Sequence, residues 1–198
     1  DLMRHAVVTG CAGFIGSHVS HLLLARGDEV VGLDNLNSYY DPTLKQARLD
    51  RLLPSPGFRF VKQELADRDG MAALFAREKV QRVVHLAAQA GVRYSLENPH
   101  AYIDSNVTGT LNVLEGCRHH GVERLVFAST SSVYGLNTNM PFSVHKGVDH
   151  PLSLYAATKR AGELLCSMYR DVHGLGVSGL RFFTVYGPRQ RPDMAIHK

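Results

Sequence analysis

Two side chains that can do acid–base chemistry, Tyr155 and Lys159, stand four residues apart in the run YAATK. On an α-helix this spacing places both side chains on one face. An ammonium beside a phenol favours the phenolate and lowers a phenol pKa that starts near ~10. We therefore expect a base that can take a proton from an alcohol near neutral pH.

A glycine-rich loop, GCAGFIG, begins at Gly10, directly after an apolar run and before a helical pattern. In such a turn Gly10 permits the tight bend, Gly13 lets the backbone approach a pyrophosphate, and Gly16 allows close packing of helix on strand. The free amide groups at the helix N-terminus, together with the helix dipole, would then hold the anion. The loop predicts a dinucleotide that could accept the hydride accompanying the alcohol proton. A plain glycine turn is the alternative.

Asp34 ends the second predicted strand, 18 residues after Gly16. An acidic side chain at this place can accept hydrogen bonds from the ribose hydroxyls of an adenosine, and it would repel a 2′-phosphate. The position therefore predicts NAD rather than NADP as the cofactor. An aspartate that caps a helix or a turn is the alternative.

Two further strand ends carry residues suited to a ligand. The run LAAQ at 86–89 has small side chains, against which a flat cofactor can lie. The hydroxyl row STSS at 129–132 stands where parallel sheets bind their ligands, and one hydroxyl could share the proton of a reacting sugar oxygen with Tyr155. Asn106 falls within a predicted helix, where a polar side chain usually needs a partner. The alternatives are a plain buried strand end for 86–89, a helix-capping Ser/Thr cluster for 129–132 and a solvent-facing side chain for Asn106.

The composition is that of a soluble globular protein: of 198 residues, 44% are apolar and 20% are charged. No apolar run reaches the roughly 18–20 residues of a membrane helix, so no membrane partner is expected. The net charge of +4 is spread along the chain, which does not indicate a nucleic-acid surface. Three cysteines without a CxxC spacing favour reduced thiols and a cytoplasmic location. The eleven histidines lack a third ligand at a recognisable spacing, and no metal site is expected.

Short apolar, β-branched runs alternate with longer helical patterns along the chain. This alternation predicts an α/β fold, a Rossmann-like doubly wound parallel sheet with helices on both faces. The connections at 35–42 and 135–151 are long, which is typical of functional loops. The predicted strands are 6–9, 29–34, 59–61, 82–86, 125–128 and 177–182, and the predicted helices are 15–26, 43–52, 69–78, 101–119 and 154–173.

Five runs resemble those of one enzyme family. They are DNLNSYYDP at 34–42, AQAGVRYS at 88–95, SVYGLN at 132–137, LRFFTVYGP at 180–188 and RPDM at 191–194. Together with the glycine loop and the Tyr–Lys pair, they make the chain similar to the extended short-chain dehydrogenase/reductases that act on nucleotide sugars. The resemblance runs over essentially all 198 residues. Within the family, the runs look most like those of the branch of UDP-glucuronate 4-epimerases.

The resemblance implies NAD-dependent inversion at C4 of a UDP-sugar. Tyr155 would be the catalytic base, Lys159 would tune it and hold the nicotinamide ribose, and Thr130 would be the hydroxyl partner. The phenolate would take the 4-hydroxyl proton while hydride passes from C4 to NAD. The 4-keto sugar would then turn over and take the hydride back on its other face. Because no net redox occurs, NAD would stay bound.

The resemblance also implies two sets of ligand residues. Those facing the uronate or diphosphate end of the substrate would be Arg93, Ser131, Thr184 and Arg191. Those binding NAD, besides Tyr155 and Lys159, would be Gly10, Gly13, Phe14, Ile15, Gly16, Asp34, Asn35, Asn37, Ser38, Glu64, Leu65, Leu86, Ala87, Ala88, Gln89, Asn106, Ser129, Phe183 and Val185.

Two serines distinguish the chain from close members of the family it resembles. The 4,6-dehydratases carry Asp and Glu directly after the catalytic threonine, and the uronate decarboxylases carry Glu at the second of these places. Ser131 and Ser132 stand there in this chain. The resemblance therefore favours conversion of UDP-glucuronate to UDP-galacturonate. The alternatives are an NAD-binding module without turnover, a dehydrogenase that releases NADH, and an epimerase for neutral UDP-glucose.

The chain also departs from the family pattern at a few positions. Glu64 stands where relatives usually have Asp near the adenine. Arg189 and Gln190 replace the Trp-Gly that usually precedes Arg191. Each departure changes the length or shape of a side chain next to an implied ligand residue.

The chain is shorter than members of the family. The resemblance implies that residues 1–187 form the NAD-binding domain and that 188–198 begin a substrate domain whose remainder is missing. The chain alone would then bind NAD but turn over poorly, because the missing part would orient the sugar. Relatives often dimerise through two long helices, here 101–119 and 154–173, which predicts a homodimer.

Overall fold

The computed structural model describes residues 4–136, 141–145 and 148–192. Its strands are β1 (His5–Thr9), β2 (Glu29–Asp34), β3 (Phe58–Lys62), β4 (Arg82–His85), β5 (Arg124–Thr130) and β6 (Gly176–Phe182). They form one sheet in the order β3-β2-β1-β4-β5-β6, and every neighbouring pair is parallel. The predicted doubly wound α/β fold is therefore confirmed. Asn137, Asp193 and Met194, which belong to runs used above, lie outside the described residues, as do residues 195–198.

The central strands are buried on both faces of the sheet, as crossover helices on two sides require. Val7 of β1 aligns with Val31 of β2 on one side and with Val83 of β4 on the other. Successive side chains of a strand face opposite sides of the sheet, so Val7 and Val8 belong to different cores. Both valines are fully buried.

Helices cover both faces. They are α1 (Phe14–Ala25), α2 (Pro42–Leu49), α3 (Arg68–Arg77), α4 (Tyr94–Glu97), α5 (Pro99–Tyr102), α6 (Gly109–His119) and α7 (Leu154–His173). One apolar core lies between the sheet and α3, α6 and α7, and it includes Phe75 and Phe127. The other lies under α1 and α2 and includes Leu49 and Phe58.

The prediction of one helix over 101–119 is wrong. α5 ends at Tyr102, a π-helical segment (Ile103–Thr108) follows, and only then does α6 begin at Gly109. Pro99 starts α5 because proline suits the first helical position and cannot continue a preceding helix. The π segment holds one extra residue in its turn, a local change that an apolar pattern of period 3.6 does not reveal. The other predicted elements agree with the structure to within three residues.

α7 agrees with its predicted bounds at both ends. Ser153 caps its N-terminus by accepting a hydrogen bond from the Ala156 N–H at 3.0 Å. Gly174 ends it in the left-handed conformation, with φ 70°. The capped first turns present Tyr155 and Lys159 at the carboxyl end of β5.

Over the three described ranges of the chain, no helix combines the length and the apolar character that crossing a membrane requires. Nor do three His, Cys, Asp or Glu side chains in those ranges come together in a way that could hold a metal ion.

Candidate active site

A cleft of about 540 Å³ opens at the carboxyl edge of the sheet, around the adjacent ends of β1 and β4. The strand order reverses its direction there, and doubly wound sheets bind ligands at such points. The cleft brings together most of the predicted site residues. They are Gly10, Gly13, Phe14, Ile15, Gly16, Asp34, Asn35, Asn37, Glu64, Leu65, Leu86, Ala87, Ala88, Gln89, Ser129, Thr130, Ser131, Tyr155, Lys159, Phe183, Thr184, Val185 and Arg191.

The glycine loop between β1 and α1 is packed too closely for side chains at two positions. Gly10 has φ 73°, and a Cβ there would lie 3.0 Å from the backbone of Ala87. A Cβ at Gly16 would lie 2.0 Å from the carbonyl oxygen of Gly10. Gly13 caps α1 with no side-chain acceptor, so backbone N–H groups are what the helix end offers to the cleft. This geometry suits an anion at the helix N-terminus.

Asp34 fastens the glycine loop to β2. Its Oδ2 accepts a hydrogen bond from the Ala12 N–H at 3.1 Å, and its Oδ1 accepts one from the Leu36 N–H at 2.9 Å. A carboxylate has about four acceptor positions, so this one can also accept hydrogen bonds from ribose hydroxyls. Ser38, also predicted to bind NAD, is exposed and does not line the cleft.

The neighbouring polar side chains bond to one another. Glu64, where the family pattern has Asp, accepts a hydrogen bond from Asn35 Nδ2 at 2.8 Å and one from the Leu65 N–H at 3.1 Å. Lys45 donates from Nζ to the carbonyl oxygen and to Oδ1 of Asn37, at 2.9 and 2.6 Å. The longer glutamate is thus folded back onto its own segment, and Lys45 orders the 35–42 connection.

Tyr155 and Thr130 both line the cleft, where the first turn of α7 faces the end of β5. Burial raises the pKa of the Tyr155 phenol above its ordinary value, outweighing the Thr130 hydroxyl and the charge of Arg191, which both act to lower it. The prediction of a lowered pKa is therefore wrong for this structure. The reason is that the phenol has left water, and burial disfavours the phenolate.

Lys159 lines the same cleft as Tyr155, as the four-residue spacing predicts. Its side chain is buried, and its Nζ lies 4.5 Å from the centroid of the Phe127 ring. Burial lowers the pKa of Lys159 to about 8. The lysine is thus held against the sheet, and the face of the aromatic ring offsets part of the cost of burying its charge.

Asn106 lies behind the cleft wall rather than in it. Its Oδ1 accepts a hydrogen bond from the Gln89 N–H at 2.8 Å, and its Nδ2 donates to the Gln89 carbonyl at 3.0 Å. Nδ2 also donates to Thr158 Oγ1 at 3.1 Å. The solvent-facing alternative for this asparagine is excluded. Asn106 joins the strand-end loop at Gln89 to α7, the helix that carries Tyr155.

A buried histidine, missed in the sequence, extends this network. His85 Nδ1 lies 2.7 Å from Thr9 Oγ1, and His85 Nε2 lies 3.1 Å from Thr110 Oγ1. Because the Thr110 hydroxyl donates to the Asn106 carbonyl at 2.7 Å, it accepts from Nε2–H, and Nδ1 accepts from Thr9. Burial, with the nearby charge of Lys159, lowers the pKa of His85 to about 3. The imidazole is therefore neutral.

Glu163 is a second residue that sequence reasoning missed. Its carboxylate accepts hydrogen bonds from Ser129 Oγ at 2.6 Å, from Arg160 at 3.0 Å, and twice from Arg181 at 2.9 Å. These bonds join α7 to the ends of β5 and β6. Burial acts to raise the pKa of Glu163, but the hydrogen bonds from Arg181 and Ser129 leave it lowered. Its spacing of four residues after Lys159 was the available signal.

Of the four residues predicted to face the substrate, Ser131, Thr184 and Arg191 line the cleft. Arg191 reaches the cleft despite the altered pair that precedes it. Arg93 does not line the cleft, because it stands at the N-cap of α4, where it is exposed. Lining residues that were not predicted include Tyr39, Tyr40, Lys45, Gln63, Gly91, Val92, Ser105 and Ser132.

A model of the NAD dependent epimerase/dehydratase family matches residues 6–198. The chain belongs to this family. It is 55% identical over 190 residues to UDP-glucuronate 4-epimerase 1 of Arabidopsis thaliana, with 96% of this chain and 44% of that protein covered. It is 62% identical over 192 residues to an uncharacterized 37.6 kDa protein of Escherichia coli O111:H-, with 97% and 57% covered. The chain thus spans about half the length of these curated relatives.

Solved structures of the epimerase/dehydratase family share the backbone. UDP-glucuronic acid 4-epimerase of Bacillus cereus, in complex with UDP-glucuronic acid and NAD, matches with a TM-score of 0.86 at 38% identity, covering 98% of this chain and 61% of that one. DesIV, a dTDP-glucose 4,6-dehydratase of Streptomyces venezuelae, matches with a TM-score of 0.89 at 33% identity, covering 98% and 60%. Because both reaction types fit this backbone, side chains must distinguish them.

The acidic residues among the described lining of this family member are Asp34 and Glu64. Both belong to the β2–β3 side of the sheet, which β1 and β4 separate from β5 and Thr130. Ser131 and Ser132 follow Thr130 in a 3₁₀ turn, and Thr130 Oγ1 accepts a hydrogen bond from the Ser132 N–H at 3.2 Å. The two positions where the resemblance places the extra acid and base of the 4,6-dehydratases therefore carry hydroxyl groups in this chain.

Proposed function

We propose that the chain is the dinucleotide-binding part of an NAD-dependent UDP-sugar 4-epimerase whose substrate is UDP-glucuronate. The observation that carries the proposal is that Tyr155, Thr130 and Lys159 line the same cleft as the glycine loop. A phenol and a hydroxyl that line one cleft suit proton transfer at one sugar hydroxyl.

NAD fits the residues present on the other side of the cleft. The close packing at Gly10 and Gly16 leaves a bare backbone beside the N-terminus of α1, which suits a pyrophosphate. Asp34 is an acceptor for ribose hydroxyls, and Leu86, Ala87 and Ala88 present small side chains to the cleft. When bound, NAD supplies the acceptor and donor of hydride at the sugar C4.

The side chains of this chain would carry out the proton transfer at the sugar 4-hydroxyl. Tyr155 takes the proton of the sugar 4-hydroxyl and later returns it, and Thr130 orients both oxygens through its hydroxyl. Lys159 would supply positive charge in the same cleft when it is protonated, and a cation that approaches the phenol favours the phenolate. Thr184 and Arg191 offer a hydroxyl and a guanidinium, groups that suit a uronate or a diphosphate. Two relatives described above are named for UDP-glucuronate, which supports this substrate.

The experiment is to incubate the chain with NAD and UDP-glucuronate and to separate the two C4 epimers by anion-exchange chromatography. Because the chain spans 57% of the Escherichia coli relative, we expect slow formation of UDP-galacturonate by the chain alone. Joining the chain to the unmatched part of that relative should raise the rate, and Tyr155→Phe should abolish it in both. Steady NADH release, or loss of the carboxylate as CO₂, would contradict the proposal.

We also propose that the chain forms a homodimer, as the family resemblance predicts. On α7, Leu164, Met168 and Val172 are exposed at a spacing of four residues, which makes one apolar stripe. Ile103 and Leu111, on the neighbouring segment, are also exposed. Light scattering should give twice the monomer mass, and Met168→Glu should halve it; a monomer mass for the unaltered chain would rule the dimer out. Two further expectations for this chain, the domain boundary at residue 187 and a cytoplasmic location, stay predictions.

A further inference from the structure

Arg48 is a buried cation on α2 that neither the sequence nor the cleft lining singles out. Its residue surface is only 3% exposed. A buried guanidinium is costly unless acceptors surround it. Arg48 meets this requirement with acceptors from three separate segments: the Ala12 carbonyl at 3.3 Å, the Tyr40 hydroxyl at 2.7 Å and the Arg189 carbonyl at 2.6 Å.

The first two acceptors belong to the dinucleotide side of the cleft. Ala12 lies inside the glycine loop, and its N–H donates to Asp34 while its carbonyl accepts from Arg48. The glycine loop is therefore held at Ala12 by two side chains, Asp34 at its N–H and Arg48 at its carbonyl. Tyr40 lines the cleft, and the Arg48 guanidinium also lies 5.6 Å from the centroid of its ring.

The third acceptor belongs to a turn on the substrate side. Arg189 has φ 66°, and the turn is closed by hydrogen bonds between Gly187 and Gln190, from N–H to Oε1 at 3.0 Å and from the Gln190 N–H to the Gly187 carbonyl at 3.2 Å. Arg191, which lines the cleft, follows directly. His18 also bonds to this turn, since its Nε2 lies 3.1 Å from the Pro188 carbonyl at an exposed position.

We propose that Arg48 is a positioning residue that couples the glycine loop to the turn carrying Arg191, so that a dinucleotide that settles the loop also sets the turn. This inference rests on the proposed function for the identity of the dinucleotide. Arginine is required because its planar fork has five donors in fixed directions, enough to serve three acceptors at once. A lysine ammonium is a single point on a flexible stem and cannot span the same three segments.

Because the sequence contains no tryptophan, one introduced tryptophan can serve as a fluorescence probe. Arg189→Trp places a single emitter on the turn and keeps the backbone carbonyl that Arg48 bonds. The Arg189 side chain is exposed, so the substitution disturbs no buried contact. The Arg189→Trp protein is the parent for the variants below. In it we expect NAD binding to shift the tryptophan emission and to reduce the quenching of that emission by acrylamide. The midpoint of the fluorescence titration should match the Kd for NAD from calorimetry.

Arg48→Met and Arg48→Lys are then introduced into the parent. We expect calorimetry to show NAD binding weakened by no more than about tenfold, with the fluorescence response lost and acrylamide quenching raised. The matched control is Arg51→Met, an exposed arginine just beyond α2, which should leave the response intact. A merely structural role would lower the thermal midpoint but keep the response in the folded fraction.

The outcomes separate the two proposals. If the parent does not bind NAD by calorimetry, the proposed function fails. If the parent binds NAD and the emission does not respond, or if Arg48→Lys keeps the full response, the coupling by Arg48 is refuted while the proposed function stands. Arg48→Lys retains the charge and most of the stem, so it keeps the test decisive should Arg48→Met fail to fold.

Discussion

The ammonium of Lys159 lies 4.5 Å from the centroid of the Phe127 ring, on the sheet face that α7 covers. The packing leaves little freedom there, since a Cβ at Gly162 would come 2.5 Å from the same ring. The lysine that the chemistry needs is thus held in a place that disfavours its charge. Function and stability make opposite demands on this residue.

Replacing Lys159 with Met should therefore stabilise the chain and disable it. The pKa of Lys159 is lowered to about 8 from 10.5, so below pH 8 the folded protein holds a disfavoured charge. Removing it should raise the free energy of unfolding at pH 7 by roughly 1–3 kcal/mol. Between about pH 8 and 10.5 the unfolded state binds more protons, so the unaltered chain should gain stability and approach the variant. Urea unfolding across this range, with exposed Lys79→Met as control, checks both signs; equal stabilities at pH 7 would contradict the argument.

His85 should make the chain sensitive to mild acid. Its pKa is lowered to about 3 from 6.5. Between these two pH values the histidine is protonated in the unfolded state and neutral in the folded state. Stability should be full above pH 6.5 and fall as the pH drops, by up to about 1.4 kcal/mol per unit from this residue. His85→Gln keeps one donor and one acceptor but cannot titrate, so its urea midpoint should fall less steeply from pH 7 to pH 5. His120→Gln, at an exposed position, should behave like the unaltered chain; identical slopes for all three would exclude His85 as the source.

Glu163 and Arg181 should be strongly coupled in stability. Each is largely buried, and the two form a bidentate pair that also engages Ser129. Glu163→Gln alone should cost roughly 2–4 kcal/mol, because it leaves a buried guanidinium without its counter-charge. A double-mutant cycle with Arg181→Met, measured by urea unfolding, should give a coupling of about 1–3 kcal/mol. Additive effects would show that the pair is not a unit.

Arg191 should matter more than Arg93 for an acidic substrate. Arg191 lines the cleft, whereas Arg93 is exposed at the start of α4. Arg191→Ala should weaken binding of UDP-glucuronate by about tenfold or more, the effect of losing a charged hydrogen bond. Arg93→Ala should change it by less than about threefold, because an exposed guanidinium contributes little. Calorimetry with UDP-glucuronate and with neutral UDP-glucose checks this, and the reverse order would return Arg93 to the site.

Regular features of the sequence predicted the regular parts of the structure. The alternation of apolar runs and helical patterns predicted the sheet. The helical pattern also predicted both ends of α7, which the structure shows capped by Ser153 and Gly174. The glycine loop, Asp34 and the Tyr155–Lys159 spacing converged on one cleft, because parallel strands end at one edge.

What the sequence did not reveal depends on contacts between distant segments. Asn106 was found as a polar residue in a helix, but its partner Gln89 and the π segment that turns it inward are tertiary features. The pKa of Tyr155 was predicted in the wrong direction because burial is not visible in a spacing. Arg48 lay in an ordinary amphipathic pattern, and its three acceptors come from residues up to 141 positions away.

The π-helical segment makes this part of the chain more sensitive to length than to composition. A side chain there can change and leave the backbone path as it is. Deleting one residue between Ile103 and Thr108 would restore a regular helix and rotate everything on one side by about 100°. Asn106 would then face away from Gln89, and α5 would have to move with it. Homologous chains that differ in this stretch should do so by replacement, while insertions and deletions accumulate elsewhere.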